Sequence, residues 1–347
     1  MASRRSAAAR PSKLTVAVTG PTGDIGRSLL RSLERSREVR RVIAMARRPF
    51  DPEAEGLRKT EYRRADVLDA DAVRELVMGA DVVVHLAFLI MGGLDETREV
   101  NLTGSRNVFE AAVAAGARRL VYTSSVAAYG FHAENPQPLT EDVPARGTAG
   151  HHYSEQKAEV EELLADTLHG SRTAAYVFRP CIVAGPDAPI LIDSLPYSQI
   201  SGRLPGPVLS MLEGLPILKP VLPDPGVPFQ LVHHDDVASA MRAGVLGRGK
   251  PGVYNLAGPG QLTVKLLAEE LGWYSIPVPE LAVDAVAETI ARLGFLPAQA
   301  QWIAAFREPV IMSTSKARRE LRWRPKHDAL HTLRETITAT RMDRLIR

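Results

Sequence analysis

Leu14-Thr15-Val16-Ala17-Val18-Thr19-Gly20-Pro21-Thr22-Gly23-Asp24-Ile25-Gly26, running on into Arg27-Ser28-Leu29-Leu30-Arg31-Ser32-Leu33, is the stretch that decides the fold. Its first six residues are mostly β-branched and mostly apolar, the make-up of a short buried strand. Gly20, Gly23 and Gly26 then recur every third residue, and the leucines beyond them fall at helical intervals. In the order strand, glycine turn, helix, such glycines let the backbone turn tightly and approach a dinucleotide pyrophosphate, whose charge the helix N-terminus favours. An ordinary strand-to-helix turn would use the same residue types without a ligand.

Working outward, Arg41-Val42-Ile43-Ala44-Met45-Ala46 reads as a second strand and ends at Arg47-Arg48-Pro49. An acid is usual here when the ribose 2′-hydroxyl of NAD is bound. Ala46 and two arginines stand there instead, and a guanidinium binds a 2′-phosphate bidentately. This favours NADP(H), with NAD as the alternative; Arg48 can equally be a solvated turn residue. Glu61-Tyr62-Arg63-Arg64-Ala65-Asp66-Val67 reads as a third strand whose Asp66 could bond an adenine amino group. A helix over 71–78, a strand in Asp81-Val82-Val83-Val84-His85-Leu86-Ala87, a helix over 100–115 and a strand in Arg119-Leu120-Val121-Tyr122-Thr123-Ser124-Ser125 follow. Strand and helix alternating in this way predict an α/β fold with a doubly wound parallel sheet.

Tyr153-Ser154-Glu155-Gln156-Lys157 places a phenol and an ammonium four residues apart on a predicted helix. A free phenol is a poor base at neutral pH, and a cation one helical turn away lowers its pKa. Tyr153 can then exchange a proton with the oxygen of a carbonyl or alcohol, and a serine hydroxyl at the end of the fifth strand can hold that same oxygen. Ser124 should point to the opposite face of the strand from its neighbour Ser125.

These segments together resemble the extended short-chain dehydrogenase/reductases, the group that includes nucleotide-sugar epimerases and dehydratases, dihydroflavonol reductases and 3β-hydroxysteroid dehydrogenases. The resemblance runs from about Leu14 to the C-terminus. Beyond the stretches above it takes in Asn101-Leu102-Thr103-Gly104, Tyr129-Gly130, Arg179-Pro180 with Gly185-Pro186, Val232-His233-His234-Asp235-Asp236-Val237-Ala238, Tyr254-Asn255 and Ser315-Lys316-Ala317-Arg318-Arg319-Glu320-Leu321. It implies Ser125, Tyr153 and Lys157 as the catalytic set, with Lys157 also bonding the nicotinamide ribose. It implies a cofactor site formed by Gly20, Thr22, Gly23, Asp24, Ile25, Gly26, Arg47, Asp66, Val67, Leu86, Ala87, Thr123, Tyr153, Lys157, Pro180 and Val183. It also implies a homodimer through the helix after Asn101 and the helix of Tyr153, where Val160, Leu163, Leu164 and Leu168 form an apolar stripe.

Three departures bear on the substrate. Relatives acting on nucleotide sugars carry an asparagine where Ile182 stands, and an arginine before Val232-His233 where Pro228-Phe229-Gln230-Leu231 stands. Arg307-Glu308-Pro309-Val310 replaces a later arginine-glycine-aspartate element. A diphosphate facing apolar residues would be desolvated and unpaired. The expectation is an oxidoreductase interconverting a carbonyl and a secondary alcohol on an uncharged, partly apolar small molecule. A nucleotide-sugar epimerase or dehydratase, and a catalytically idle NADP-sensing or scaffold protein, are the alternatives.

The other polar residues read more plainly. Asn101 braces backbone, His85 is a satisfied core histidine, and His151 or His152 lines the pocket or serves the loop. Asp235 or Asp236 caps a helix, and no metal is expected because zinc-type spacing is absent. Cys181, the single cysteine among 347 residues, is read as an apolar filler; the chain can form no internal disulfide, which suits a reducing cytoplasm. Apolar content is 45%, without a run of about 18 apolar residues, so no membrane partner is expected. The net charge is +3, but Arg4, Arg5, Arg10 and Lys13 lie in the first thirteen positions and the remainder carries −1. Nucleic acid is therefore not an expected partner. Residues 1–13 read as a disordered basic tail and 14–185 as the dinucleotide-binding core with the catalytic residues. Residues 186–347 read as a smaller, mainly substrate-binding domain, with strands and helices near 229–257 returning to the core. Helices are expected over 207–212, 283–294 and 299–306.

Overall fold

The computed structural model describes residues 13–193, 195, 219–278 and 308–346. The tail but for Lys13, Arg307 and the helices expected over 207–212, 283–294 and 299–306 lie outside the described residues. In chain order the strands are β1 Leu14–Thr19, β2 Val39–Ala46, β3 Thr60–Arg64, β4 Val82–His85, β5 Arg119–Thr123, β6 Ala174–Pro180, β7 Ile182–Ala184, β8 Val221–Asp224, β9 Leu231–His233, β10 Gly252–Leu256 and β11 Tyr274–Pro277. The helices are α1 Asp24–Glu34, α2 Ala70–Val77, α3 Leu94–Arg98, α4 Gly104–Ala114, α5 His152–Leu168, α6 Ile190–Asp193, α7 His234–Val245, α8 Val264–Leu271, α9 Ser315–Glu320 and α10 Ala329–Ile346.

Seven strands form one parallel sheet in the order β10-β6-β5-β4-β1-β2-β3. The chain leaves β1 towards β2 and β3, then returns to β4 on its other side. A crevice therefore opens at the carboxyl ends of β1 and β4, where ligands bind in doubly wound folds. The central strands β1 and β4 are buried on both faces, whereas β3 at the edge is largely exposed. Val16 and Val18 of β1, with Val82 and Val84 of β4, join one core cluster with Leu29, Leu30 and Leu33 of α1 and Val237 and Met241 of α7. Ala17 and Val83 face the other cluster, with Val73 and Leu76 of α2, Val108 of α4, and Val160 and Leu164 of α5. Each buried leucine or valine contributes about 1.5–3 kcal/mol, which is why near-continuous apolar runs become central parallel strands. A third cluster joins β9, α8 and α10 through Leu231, Leu267, Leu271, Leu333 and Ile337.

Some boundaries differ from the sequence reading. The third strand stops at Arg64, leaving Asp66 in the following loop, where its carboxylate accepts the Leu68 amide at 3.1 Å. The helix expected over 100–115 starts earlier and is interrupted: α3 runs into a π-helical turn, Glu99–Thr103, before α4. The fifth strand ends at Thr123, and Ser125 caps a 3-10 turn, Val126–Tyr129. Between β6 and β7 the chain breaks at Cys181, so that β7 leaves the main sheet to pair with β9. The α7 cap is the His233 imidazole, which accepts the Asp235 amide at 3.1 Å, and not Asp235 or Asp236. The Asp236 carboxylate instead accepts the amides of Lys326 and His327 at 2.9 and 3.0 Å.

Candidate active site

The glycine turn sits in the crevice. Gly20 has φ +72°, and a Cβ there would lie 2.6 Å from the amide nitrogen of Ala87. Gly26 admits no Cβ either, since one would fall 2.4 Å from the carbonyl oxygen of Gly20. These two contacts hold the turn, the start of α1 and the segment after β4 together. The N-cap of α1 is Gly23, which supplies no capping side chain; an uncapped helix N-terminus behind a tight glycine turn fits a pyrophosphate. Thr22, Asp24 and Ile25 occupy this turn and first helical residues. Burial raises the Asp24 carboxyl above its usual range, against the pull of Arg48.

At the end of β2 the Arg47 guanidinium stands 3.8 Å from the Asp66 carboxylate, and Arg48 donates to the Thr22 carbonyl at 3.0 Å. Arg48 is thus a glycine-turn contact, which the sequence left as a possible solvated residue. Val67 packs under Gly104, where a Cβ would meet its Cγ2 at 2.5 Å. Leu86 donates its amide to the Thr19 carbonyl at 3.1 Å. Pro180 ends β6, while Val183 lies in β7 beside Val232.

Beyond β5 the catalytic candidates converge. The Ser125 hydroxyl hydrogen-bonds the Tyr153 phenol, and burial pushes that phenol up to about 12. Lys157, only 3% exposed, donates from Nζ to the Thr123 carbonyl at 3.0 Å. Its ammonium lies 3.5 Å from the centre of the Phe88 ring and 5.8 Å from that of Tyr153. Burial brings Lys157 down to about 7. Desolvation dominates the phenol, opposed by the hydrogen bond with Ser125 and not by the lysine, and Tyr153 is a protonated acid at neutral pH. Ser124 points elsewhere, its hydroxyl bonding Glu161, which also holds the buried Arg179 (Nε to Oε1, 2.8 Å).

Phe88 was not legible as a site residue. It stands edge-on to Tyr153, ring centres 5.6 Å apart; its only signal was an aromatic just past the end of β4. Asn101, in the π-helical turn, accepts the Leu89 amide at 2.7 Å and donates to the Leu89 carbonyl at 2.9 Å and to Gln156 of α5 at 2.7 Å. It braces the segment carrying Phe88 against the helix carrying Tyr153. His85 has both ring nitrogens engaged, with Thr19 at 2.7 Å and Ser105 at 2.9 Å, and burial drives it down to about 3. His151 caps α5 by accepting the Ser154 amide at 3.2 Å. Cys181 is buried with its thiol pushed well above the usual range, an inert filler.

Comparison with known proteins bears on the family and the fold. The chain is 29% identical over 267 residues to an uncharacterized protein of Mycobacterium tuberculosis (strain ATCC 25618 / H37Rv), covering 76% of this chain but 24% of that protein. The chain thus spans about a quarter of that relative's length. It is 32% identical over 169 residues to human 3 beta-hydroxysteroid dehydrogenase type 7, 46% of each chain. Among solved structures, UDP-glucose 4-epimerase of Thermotoga maritima with UDP-glucose superposes with a TM-score of 0.69 at 19% identity, over 95% of this chain and 99% of that one. The model of the NAD dependent epimerase/dehydratase family matches residues 16–257. The chain belongs to this family, within the extended short-chain dehydrogenase/reductases.

Proposed function

We propose that the protein is an NADP(H)-dependent oxidoreductase that interconverts a carbonyl and a secondary alcohol on an uncharged, partly apolar small molecule. The observation that carries this reading is the Ser125–Tyr153 hydrogen bond beside the buried Lys157. Ser125 holds the substrate oxygen, and Tyr153, protonated at neutral pH, gives that oxygen its proton. Lys157 balances the phenolate left behind and replaces its proton. A bound nicotinamide dinucleotide supplies the hydride for the carbonyl carbon, or accepts it in the reverse direction. Gly20, Gly23 and Gly26 let the pyrophosphate approach, and Arg47 and Arg48 favour a 2′-phosphate over a bare ribose.

Among the described residues, the positions at which a sugar diphosphate would find its donors are apolar or occupied. Ile182 lies in β7 paired to Leu231, Phe229 is buried, and the Gln230 side chain is spent on the backbone of Met312, accepting its amide at 2.8 Å. The human relative named above is by its name a 3 beta-hydroxysteroid dehydrogenase, which fits an apolar alcohol or ketone. The test is a screen of ketones and aldehydes for NADPH consumption, with nucleotide sugars alongside. Turnover of a nucleotide sugar and of no simple carbonyl would overturn the reading, and no turnover at all would favour the idle sensor.

The reading includes a cytoplasmic homodimer. Val160 and Leu164 of the apolar stripe serve the core, so the dimer rests on the outer groove between α4 and α5. That groove presents Arg98 and Arg106 beside Glu110 and Glu162, a mixed-charge surface that can complement itself about a two-fold axis. Among the described residues no helix is long and apolar enough to cross a membrane.

A further inference from the structure

His233 ends β9, His327 precedes α10 and Glu335 lies in its second turn, yet one ligand atom of each falls within 4.8 Å of the other two. The His233 and His327 rings stack with centres 3.9 Å apart, and His331 stacks on His327 at 5.8 Å. Glu335 lies between them: Oε2 is 3.2 Å from His233 Nε2, and Oε1 is 3.5 Å from His331 Nε2. Oε2 is buried but has no hydrogen bond of acceptable geometry, close as His233 is. A buried carboxylate oxygen without an aligned donor is costly, and a cation in the same place would satisfy it.

The surroundings fix how these groups face inward. The buried Asp236 carboxylate accepts a hydrogen bond from His327 Nδ1 at 2.9 Å, which leaves the lone pair on Nε2 for a ligand. A carboxylate orienting an imidazole through its far nitrogen is the usual outer shell of a metal ligand. His233 accepts the Asp235 amide at Nδ1, so its Nε2 carries the proton that a metal would displace. The ring then takes its other tautomer and releases an exposed first-turn amide to water. The neighbouring His234 is already committed, with Ser28 at Nδ1 (2.6 Å) and the Asp187 amide at Nε2 (3.3 Å).

We infer that His233, His327 and Glu335, with His331 as a fourth ligand, form a site for one divalent transition-metal ion of the zinc class. Imidazole and carboxylate donors suit zinc, nickel, cobalt or copper, whereas calcium and magnesium need sets of oxygens. Tetrahedral ligands about 2.1 Å from an ion lie roughly 3.4 Å apart, so His233, His327 and Glu335 must close in by about an ångström, and His331, outside that cluster, by more. The bound ion ties the β9–α7 corner to α10, away from any role in the redox chemistry.

The test uses the full chain without a purification tag, freed of metal by a chelator. Zinc chloride is titrated by calorimetry, melting temperature is followed with and without zinc, and cobalt is added as a visible-light probe of coordination. Expected are one zinc per chain with micromolar or tighter affinity, a higher melting temperature with zinc, and the intense visible bands of four-coordinate cobalt. Glu335→Gln, which keeps the shape of a half-exposed side chain, and His327→Ala should each weaken zinc at least tenfold, while His169→Ala, just past the end of α5, leaves it unchanged. No binding at millimolar zinc, or equal affinity in wild type and Glu335→Gln, overturns the site whether or not His327→Ala folds.

Discussion

The Lys157 ammonium stands 3.5 Å over the centre of the Phe88 ring, with the Thr123 carbonyl 3.0 Å from Nζ. The ring face is the electron-rich surface of Phe88, and in a dry setting such a contact is worth about 1–2 kcal/mol to a cation. It partly offsets the burial that brings Lys157 down to about 7. Phe88 and Lys157 therefore set together how much of the lysine is charged at neutral pH.

That balance gives the cofactor affinity a pH dependence. Lys157 titrates near 7 in the free protein, and an anionic dinucleotide raises its pKa on binding, so binding takes up a proton. Affinity should be highest below pH 7 and fall as pH rises above it, by at most about tenfold per unit. Phe88→Leu keeps the site dry but removes the π face, and should move the midpoint down by about one unit. Fluorescence titrations of NADPH at pH 6, 7.5 and 9 check both; a profile unchanged in Lys157→Met would assign the titration to another group.

Tyr153→Phe should keep the fold and NADPH binding and lower turnover by about 10²–10⁴-fold, since only the proton donor is lost. Ser125→Ala should lower turnover with little change in NADPH affinity. Lys157→Met should damage both. Steady-state rates on whichever carbonyl the screen yields, paired with cofactor titrations, separate the three patterns.

NADPH should bind about ten- to hundredfold more tightly than NADH, the range expected for losing a charge-assisted phosphate contact of about 1.5–3 kcal/mol. Arg47→Ala and Arg48→Ala should each narrow that gap, with Arg48→Ala also weakening NADH because it removes the contact to the Thr22 carbonyl. Equal affinities in the wild type would reverse the reading of Ala46-Arg47-Arg48.

Stability should fall in mild acid. Burial lowers His85 to about 3 and His151 to about 4, against about 6.5 in the unfolded chain. Below pH 6.5 the unfolded state binds more protons, so stability drops as pH falls towards 4, by about 2 kcal/mol for each histidine at pH 5. Urea midpoints at pH 7 and pH 5 measure the loss. His85→Asn, though less stable at pH 7, should lose less on acidification.

The parallel sheet and the glycine turn were readable because both follow from local pattern. Runs such as Val82-Val83-Val84 must be covered on both faces, and Gly20 and Gly26 stand where no side chain fits. The Tyr153 and Lys157 pairing was readable because helical spacing alone sets it. Distant partners were not. Neither the ring of Phe88 over Lys157 nor the pairing of Asp236 with His327, 91 positions apart, leaves a trace in spacing. The capping assignment failed for a related reason. Asp236 has the side chain of a helix cap, but its oxygens are claimed by amides from a remote loop, and His233 takes the cap instead.

The π-helical turn at Glu99–Thr103 carries a consequence of its own. Each residue of an α-helix turns the chain by about 100°, and a π-turn accommodates one residue more than the regular winding would. Its presence sets the azimuth at which Asn101 leaves the helix, and so whether its amide can reach Leu89 on one side and Gln156 on the other. A deletion of a single residue within 99–103 would let the helix wind regularly and swing that amide off both partners, though every residue of the Ser125, Tyr153 and Lys157 cluster remained. The reach of Asn101 is thus encoded in the number of residues in one helical turn as much as in their identity.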